Sequence, residues 1–159
     1  MKNEKSIGAM RLAEIKVTFM EIPTEANLTL WISGCPRSCA GCQNSELQQS
    51  IGVELTEEML DGYIRTKGKH CTCVCFLGGE QFESEFIKMM GVVIRSGKKV
   101  ALYTGAESVT NEIAGYLDYL KVGPWEEARG PLTSHTTNQR LWRKRYGDEW
   151  EDITSLFWN

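Results

Sequence analysis

Trp31-Ile-Ser-Gly-Cys35-Pro-Arg-Ser-Cys39-Ala-Gly-Cys42-Gln-Asn44 is the stretch around which this chain is read. Its three cysteines stand at C-x3-C-x2-C, just past an apolar run that stops at Gly34. Three thiolates this close together can wrap one small inorganic body. A [4Fe–4S] cube is usually held by four cysteines, so a loop that offers three leaves one iron open to another ligand. Other uses of the cysteines stand beside this one. Cysteine is often buried, although a segment of Gly, Pro, Arg and Ser does not look like a packed face. Disulfides belong to oxidising compartments. Zinc would need a second pair drawn from Cys71, Cys73 and Cys75, whose C-x-C-x-C spacing lies in an apolar run and differs from the C-x2-4-C of structural zinc.

On either side of this stretch the chain alternates between strand and helix patterns. Residues 14–20 alternate and are rich in β-branched types, which predicts a strand. Residues 28–33 form a buried strand that delivers the chain to the cysteines. A short polar segment follows Asn44. Thr56 caps a helix running to about Arg65, with Met59, Leu60, Tyr63 and Ile64 on one face. Residues 71–77 read as a strand closed by Gly78-Gly79. A second helix spans residues 82–96, striped by Phe82, Phe86, Met89, Met90 and Val93 and ended by Gly97. Residues 100–103 are a strand, Val109, Ile113, Tyr116 and Leu117 mark a third helix, and residues 119–122 are another strand.

This βα alternation predicts an α/β fold with a parallel sheet, in one domain over residues 1–159. Beyond Arg140, residues 141–145 and 149–154 flank Tyr146-Gly-Asp148 as a hairpin. Trp142, Trp150 and Trp158 are expected to anchor packing. In parallel α/β folds, sites gather at the carboxyl ends of strands. The cysteine loop, Gly78-Gly79-Glu80, Thr104-Gly105 and Lys121 fall at four such ends.

Composition narrows the partners. The 159 residues are 25% charged and 42% apolar, as in an ordinary globular chain, and the net charge of -3 argues against a broad nucleic-acid surface. No apolar run approaches the roughly 18 to 20 residues of a membrane helix. The start, Met-Lys-Asn-Glu-Lys-Ser, lacks the apolar stretch of a signal peptide. A cytoplasmic protein with no membrane partner is expected. Six cysteines then point to metal or redox chemistry.

Cys35-x3-Cys39-x2-Cys42 resembles the signature of the radical S-adenosylmethionine enzymes. The run from Gly34 to Asn44 is most similar to the small activating enzymes of anaerobic ribonucleoside-triphosphate reductase. Leu77-Gly-Gly-Glu80, Tyr103-Thr-Gly105, Leu120-Lys-Val-Gly-Pro124 and Thr137-Asn-Gln-Arg140 also resemble stretches of that family, so the likeness covers about residues 28 to 140. The resemblance implies a partial, open (β/α) barrel of the radical S-adenosylmethionine type with the hairpin at its end; periodicity alone does not separate this from a doubly wound sheet. It implies a [4Fe–4S] cluster on Cys35, Cys39 and Cys42, with S-adenosylmethionine on the open iron. Cofactor contacts would come from Gly41, Gln43, Asn44, Gly78, Gly79, Glu80, Thr104 and Lys121, and no catalytic residue is needed beyond cluster and cofactor ligands.

The implied activity is that of an oxidoreductase. A low-potential electron donor reduces the cluster, S-adenosylmethionine is cleaved to a 5′-deoxyadenosyl radical, and that radical removes a hydrogen from a glycine of the reductase. Two other readings accompany it: a radical enzyme acting on another glycyl-radical enzyme or on a small molecule, and a non-catalytic iron–sulfur or zinc module. The chain departs from the resemblance twice. Gly41 stands where many radical enzymes place an aromatic residue, although the reductase activases also have glycine there. Gln81 stands where the family commonly has proline.

Several residues have plainer uses. Gly78 and Gly79 also suit a tight turn. Lys121 also suits an exposed surface, and Asn44 suits a helix cap. Cys71, Cys73 and Cys75 are read as core on one face of a strand. Thr137-Asn-Gln-Arg140 is read either as a docking segment for a partner or as a turn before the hairpin.

Overall fold

Every second residue of the four central strands faces the same side of one sheet, and that alternation decides where the helices sit. The computed structural model describes residues 9–34 and 51–158. Its strands are β1 (Arg11–Thr18), β2 (Asn27–Ile32), β3 (Val53–Glu54), β4 (Cys73–Leu77), β5 (Lys99–Tyr103), β6 (Tyr119–Val122), β7 (Arg140–Lys144) and β8 (Trp150–Asp152). Its helices are α1 (Glu57–Arg65), α2 (Glu83–Arg95) and α3 (Asn111–Tyr116), followed near the end by a 3-10 turn at Thr154–Phe157.

Among the described residues the strands form one mixed sheet in the order β3-β1-β2-β4-β5-β6-β7-β8, with β3 and β8 as its free edges, so the sheet does not close. The centre is parallel: β2 with β4, β4 with β5, and β5 with β6. Antiparallel strands flank it, β1 and β3 on one side and β7 and β8 on the other.

Leu28, Leu30 and Ile32 of β2, Val74 and Phe76 of β4, Val100 and Leu102 of β5 and Leu120 of β6 share one core with Leu60 and Ile64 of α1, Phe86, Met89, Met90, Val92 and Val93 of α2, and Ile113 of α3. The three described helices therefore cover the same face. The alternate residues Cys73, Cys75, Leu77, Ala101 and Tyr119 join Ile22, Leu141 and Ile153 in a second, smaller cluster on the opposite face. A doubly wound sheet would put helices on both sides. Phe76 meets Phe86 edge-to-face, with ring centroids 5.1 Å apart at 88°. Truncating either ring to Ala costs about 3–5 kcal/mol, since both are fully enclosed.

Local chemistry starts and stops the helices as expected. The Thr56 hydroxyl accepts from the Met59 amide at 3.1 Å, Glu57 and Glu58 occupy the first turn, and Arg65 the last. Thr110 caps α3 through the Ile113 amide at 3.3 Å. The hairpin forms with Tyr146-Gly-Asp148 in its loop, and Lys144 lies over the Trp150 ring.

Three expectations need correction. The first strand is Arg11–Thr18, shifted toward the N-terminus, because it pairs with β2 as far back as Leu12. The two-residue β3 was not expected, and it pairs with Arg11 and Leu12. Cys71 precedes β4 and packs with the helix-side core, so only Cys73 and Cys75 share a strand face. None of the helices among the described residues is long and apolar enough to cross a membrane.

Candidate functional site

The carboxyl ends of the parallel strands lie side by side, so residues distant in sequence meet at one edge. The chain leaves β2 through Ser33 and Gly34, and residues 35–50, including Cys35, Cys39, Gly41, Cys42, Gln43 and Asn44, lie outside the described residues. The two flanks of that stretch are joined. Ser33 Oγ donates to the Ile51 carbonyl at 2.6 Å and accepts from its amide at 3.1 Å. Ser33 is also tied to β1, its amide donating to the Arg11 carbonyl at 3.0 Å. The cysteine stretch thus starts and ends at the head of β2, beside β4.

β4 ends in the turn Gly78-Gly79-Glu80. Gly78 and Gly79 have φ of 90° and 116°, a region that L side chains rarely adopt. Their Cβ positions are also taken: one at Gly79 would lie 3.1 Å from Met10 Cε, and one at Gly78 would lie 3.3 Å from the Ile32 carbonyl oxygen. The fold itself requires both glycines, and they hold the turn close against β2.

Glu80 follows directly. Its Oε2 accepts from the Thr104 hydroxyl at 2.5 Å, and Thr104 Oγ1 accepts from the Ala106 amide at 3.0 Å. Thr104 is buried. Its hydroxyl proton is committed to Glu80, which fixes the carboxylate as an acceptor. Glu80 Oε1 is shielded from solvent and has no hydrogen-bond partner among the described residues. A buried acceptor left empty calls for an explanation.

Lys121, on the adjacent strand β6, is 7% exposed, which excludes the plain surface reading. Its ammonium donates to the Gly123 carbonyl at 2.9 Å and the Thr104 carbonyl at 3.3 Å, and lies 5.7 Å from the centre of the Tyr103 ring. The edge thus presents a positive charge, a carboxylate with one open oxygen, and the two flanks of the cysteine stretch. An empty acceptor beside that stretch fits a cofactor that carries an amine.

Thr137-Asn-Gln-Arg140 is spent on the fold. Thr137 and Gln139 are buried; Gln139 donates toward the Gly123 and Pro124 carbonyls at 3.5 Å, and Asn138 donates to the Pro124 carbonyl at 3.1 Å. These contacts support the turn reading for these three residues. Trp158 serves as an anchor: its indole donates to the Leu132 carbonyl at 2.9 Å and stacks on His135 at 4.7 Å.

The remaining cysteines are core. Cys71, Cys73 and Cys75 are free thiols and buried. Burial pushes all three thiols up, with the Lys98 charge opposing it at Cys71. Among the described residues, no three His, Cys, Asp or Glu side chains gather as metal ligands. Sequence reading missed Ser33 and the contacts of Gln81. Neither residue type is distinctive by itself, and only its partner across the sheet gives it a role.

A sequence profile of the family described as "4Fe-4S single cluster domain" matches residues 26–143, more than half of the chain. The matched span runs from just before β2 into β7 and includes the cysteine stretch and every strand-end residue above. No curated protein matched the chain.

Proposed function

We propose that this chain, which belongs to the 4Fe–4S single cluster domain family, is a radical S-adenosylmethionine activase of anaerobic ribonucleoside-triphosphate reductase. In this reading Cys35, Cys39 and Cys42 hold the cluster, and the sheet is an open (β/α) barrel of the radical type. The described helices all cover one face of the sheet, which favours that architecture. Three of the six cysteines are core, which leaves these three for the metal.

The observation that carries the proposal is the carboxyl edge itself. The flanks of the cysteine stretch, the empty Glu80 oxygen, Thr104 and Lys121 converge there from β2, β4, β5 and β6. A cluster held by Cys35, Cys39 and Cys42 would supply the low-potential electron that cleaves S-adenosylmethionine to methionine and a 5′-deoxyadenosyl radical. The chain's own residues bind and orient. Glu80 accepts from the cofactor amine through its open oxygen, a charge-assisted bond stronger than a neutral one. Thr104 keeps that carboxylate from rotating. Lys121 presents its charge to the cofactor carboxylate or ribose. Gly41, Gln43 and Asn44, which lie outside the described residues, are proposed as further cofactor contacts. The proposed target is a glycine of the reductase, presented as a loop of the larger protein, whose Cα hydrogen would be removed to leave a glycyl radical.

The test is electron paramagnetic resonance of an anaerobic mixture of this chain, a reductant, S-adenosylmethionine and the cognate reductase. A doublet is expected on the reductase, because one α-hydrogen remains on the glycine. Deuterium at that position collapses the doublet, and a Gly-to-Ala reductase gives no signal. A radical that forms only on another glycyl-radical enzyme, or only on a small molecule, overturns the choice of target.

A further inference from the structure

Gln81 stands where proline commonly follows the Gly-Gly-Glu of similar enzymes, and its side chain spans two elements that proline could not. Its Oε1 accepts from the Gly79 amide at 3.0 Å, within its own turn. Its Nε2 donates to the Gly34 carbonyl at 3.1 Å, across 47 positions of sequence. The orientation of the carboxamide is dictated by its partners, because an amide N–H needs an acceptor and a carbonyl needs a donor. The Gly34 carbonyl belongs to the peptide unit that leads into Cys35.

We propose that Gln81 is a positioning residue that clamps the start of the cysteine stretch to the Gly78–Glu80 turn, so that one side chain governs both cluster retention and cofactor affinity. The clamp rests on the reading of Cys35, Cys39 and Cys42 as cluster ligands.

Two further observations support it. Gly34 has φ of 85°, and a Cβ there would lie 3.3 Å from Cζ of Phe82, the residue after Gln81. The start of the stretch is therefore seated on the same turn by contact as well as by hydrogen bond. That turn is closed without Gln81, by the Phe82 amide donating to the Gly79 carbonyl at 3.0 Å. The turn has its own backbone bond, so what the carboxamide adds is the link to Gly34. The other flank is held separately by Ser33 and Ile51, which leaves Gln81 as the described side chain that hydrogen-bonds Gly34 to the cofactor turn.

Two substitutions separate a clamp from a turn cap. Gln81→Pro presets a turn backbone but reaches nothing. Gln81→Glu has the same length and still accepts from Gly79, but as a carboxylate it has no proton to give Gly34. The full chain is reconstituted anaerobically with iron and sulfide. Three quantities are read: the rate of iron release to a chelator, the dissociation constant for S-adenosylmethionine, and the paramagnetic resonance spectrum of the reduced cluster with and without it.

A clamp predicts that both variants release iron about fivefold faster and bind the cofactor about fivefold more weakly, the weight of one neutral hydrogen bond. It also predicts an altered spectral response to the cofactor in both. A turn cap predicts that Gln81→Glu behaves as the parent in all three, and that result overturns the clamp. If Gln81→Pro does not fold, the near-isosteric Gln81→Glu decides alone. A parent chain that loads iron and responds to the cofactor, with variants identical to it, removes only the clamp. A parent that takes up no iron removes the proposed function and the clamp together.

Discussion

Two carboxylates sit at opposite ends of the same sheet, and they are used differently. Glu25, at the amino end, is filled. Thr72 donates to its Oε1 at 2.6 Å, and Lys99 and Tyr119 donate to its Oε2 at 2.8 and 2.5 Å. These partners come from the starts of β4, β5 and β6, so Glu25 staples three strands where they begin. Glu80, at the carboxyl end, has among the described residues one partner on one oxygen and none on the other. A carboxylate whose lone pairs are taken stabilises a fold. Glu80 is held by a single hydroxyl and keeps a shielded oxygen with no partner among the described residues, which the proposed function assigns to a ligand. In the proposed function, the amino end of the sheet is scaffold and the carboxyl end is the site.

The contrast can be broken at several points. Replacing Cys35, Cys39 or Cys42 by Ala has the largest expected effect: iron falls from about four per chain to near none after reconstitution, measured by metal analysis. Iron content at the parent level in any of the three would remove the cluster from that stretch.

Glu25→Ala comes next and acts on folding. It leaves Thr72, Lys99 and Tyr119 without their shared acceptor and should cost about 2–3 kcal/mol in urea unfolding, below the full penalty of a buried ion pair because Lys99 is half exposed. Cofactor affinity should stay at the parent value. The pH dependence has a definite sign. Burial would raise the Glu25 carboxyl, but hydrogen bonds from Lys99, Thr72 and Tyr119, with the Lys99 charge, outweigh it and hold it below its ordinary value of 4.5. The stability it contributes is complete above that value and is lost as pH falls through the lower folded value. Acid titration of the unfolding free energy should therefore show a steeper fall below pH 4.5 in the parent than in Glu25→Gln. Equal slopes would mean that the staple does not titrate as described.

Glu80→Gln inverts the pattern. Gln can still accept from Thr104, so unfolding should change by less than about 0.5 kcal/mol. The loss of charge should weaken S-adenosylmethionine binding about tenfold, near 1.4 kcal/mol, as measured by equilibrium dialysis. An unchanged dissociation constant would return Glu80 to the scaffold. The smallest effect belongs to Cys75→Ala in the core, about 1 kcal/mol of stability with iron content unchanged.

Much of this was legible in the sequence where a periodic pattern ran long enough. The four parallel strands were read from short apolar runs, two of them closed by glycine, the helices from their stripes and the Thr56 cap, and the hairpin from Tyr146-Gly-Asp148. The edge strand β3 was not, because two exposed residues carry no period. Cys71 was misplaced because alternation in sequence continues past the point where the β4 ladder begins. Site legibility divides the same way. Glu80, Thr104 and Lys121 were named from their strand-end positions, but burial and partners were needed to tell a held lysine from a surface one. The Glu25 staple and the Gln81 bridge were invisible because each joins ordinary residues far apart in the chain. Their meaning lies in the sheet register rather than in any local motif.

The measurement that bears most directly on the account is product formation by the anaerobically reconstituted, reduced chain with S-adenosylmethionine, the parent beside Cys39→Ala. The account predicts 5′-deoxyadenosine and methionine in equal amounts from the parent and neither from the variant. Product from both chains would contradict it, and so would none from a parent that carries about four irons.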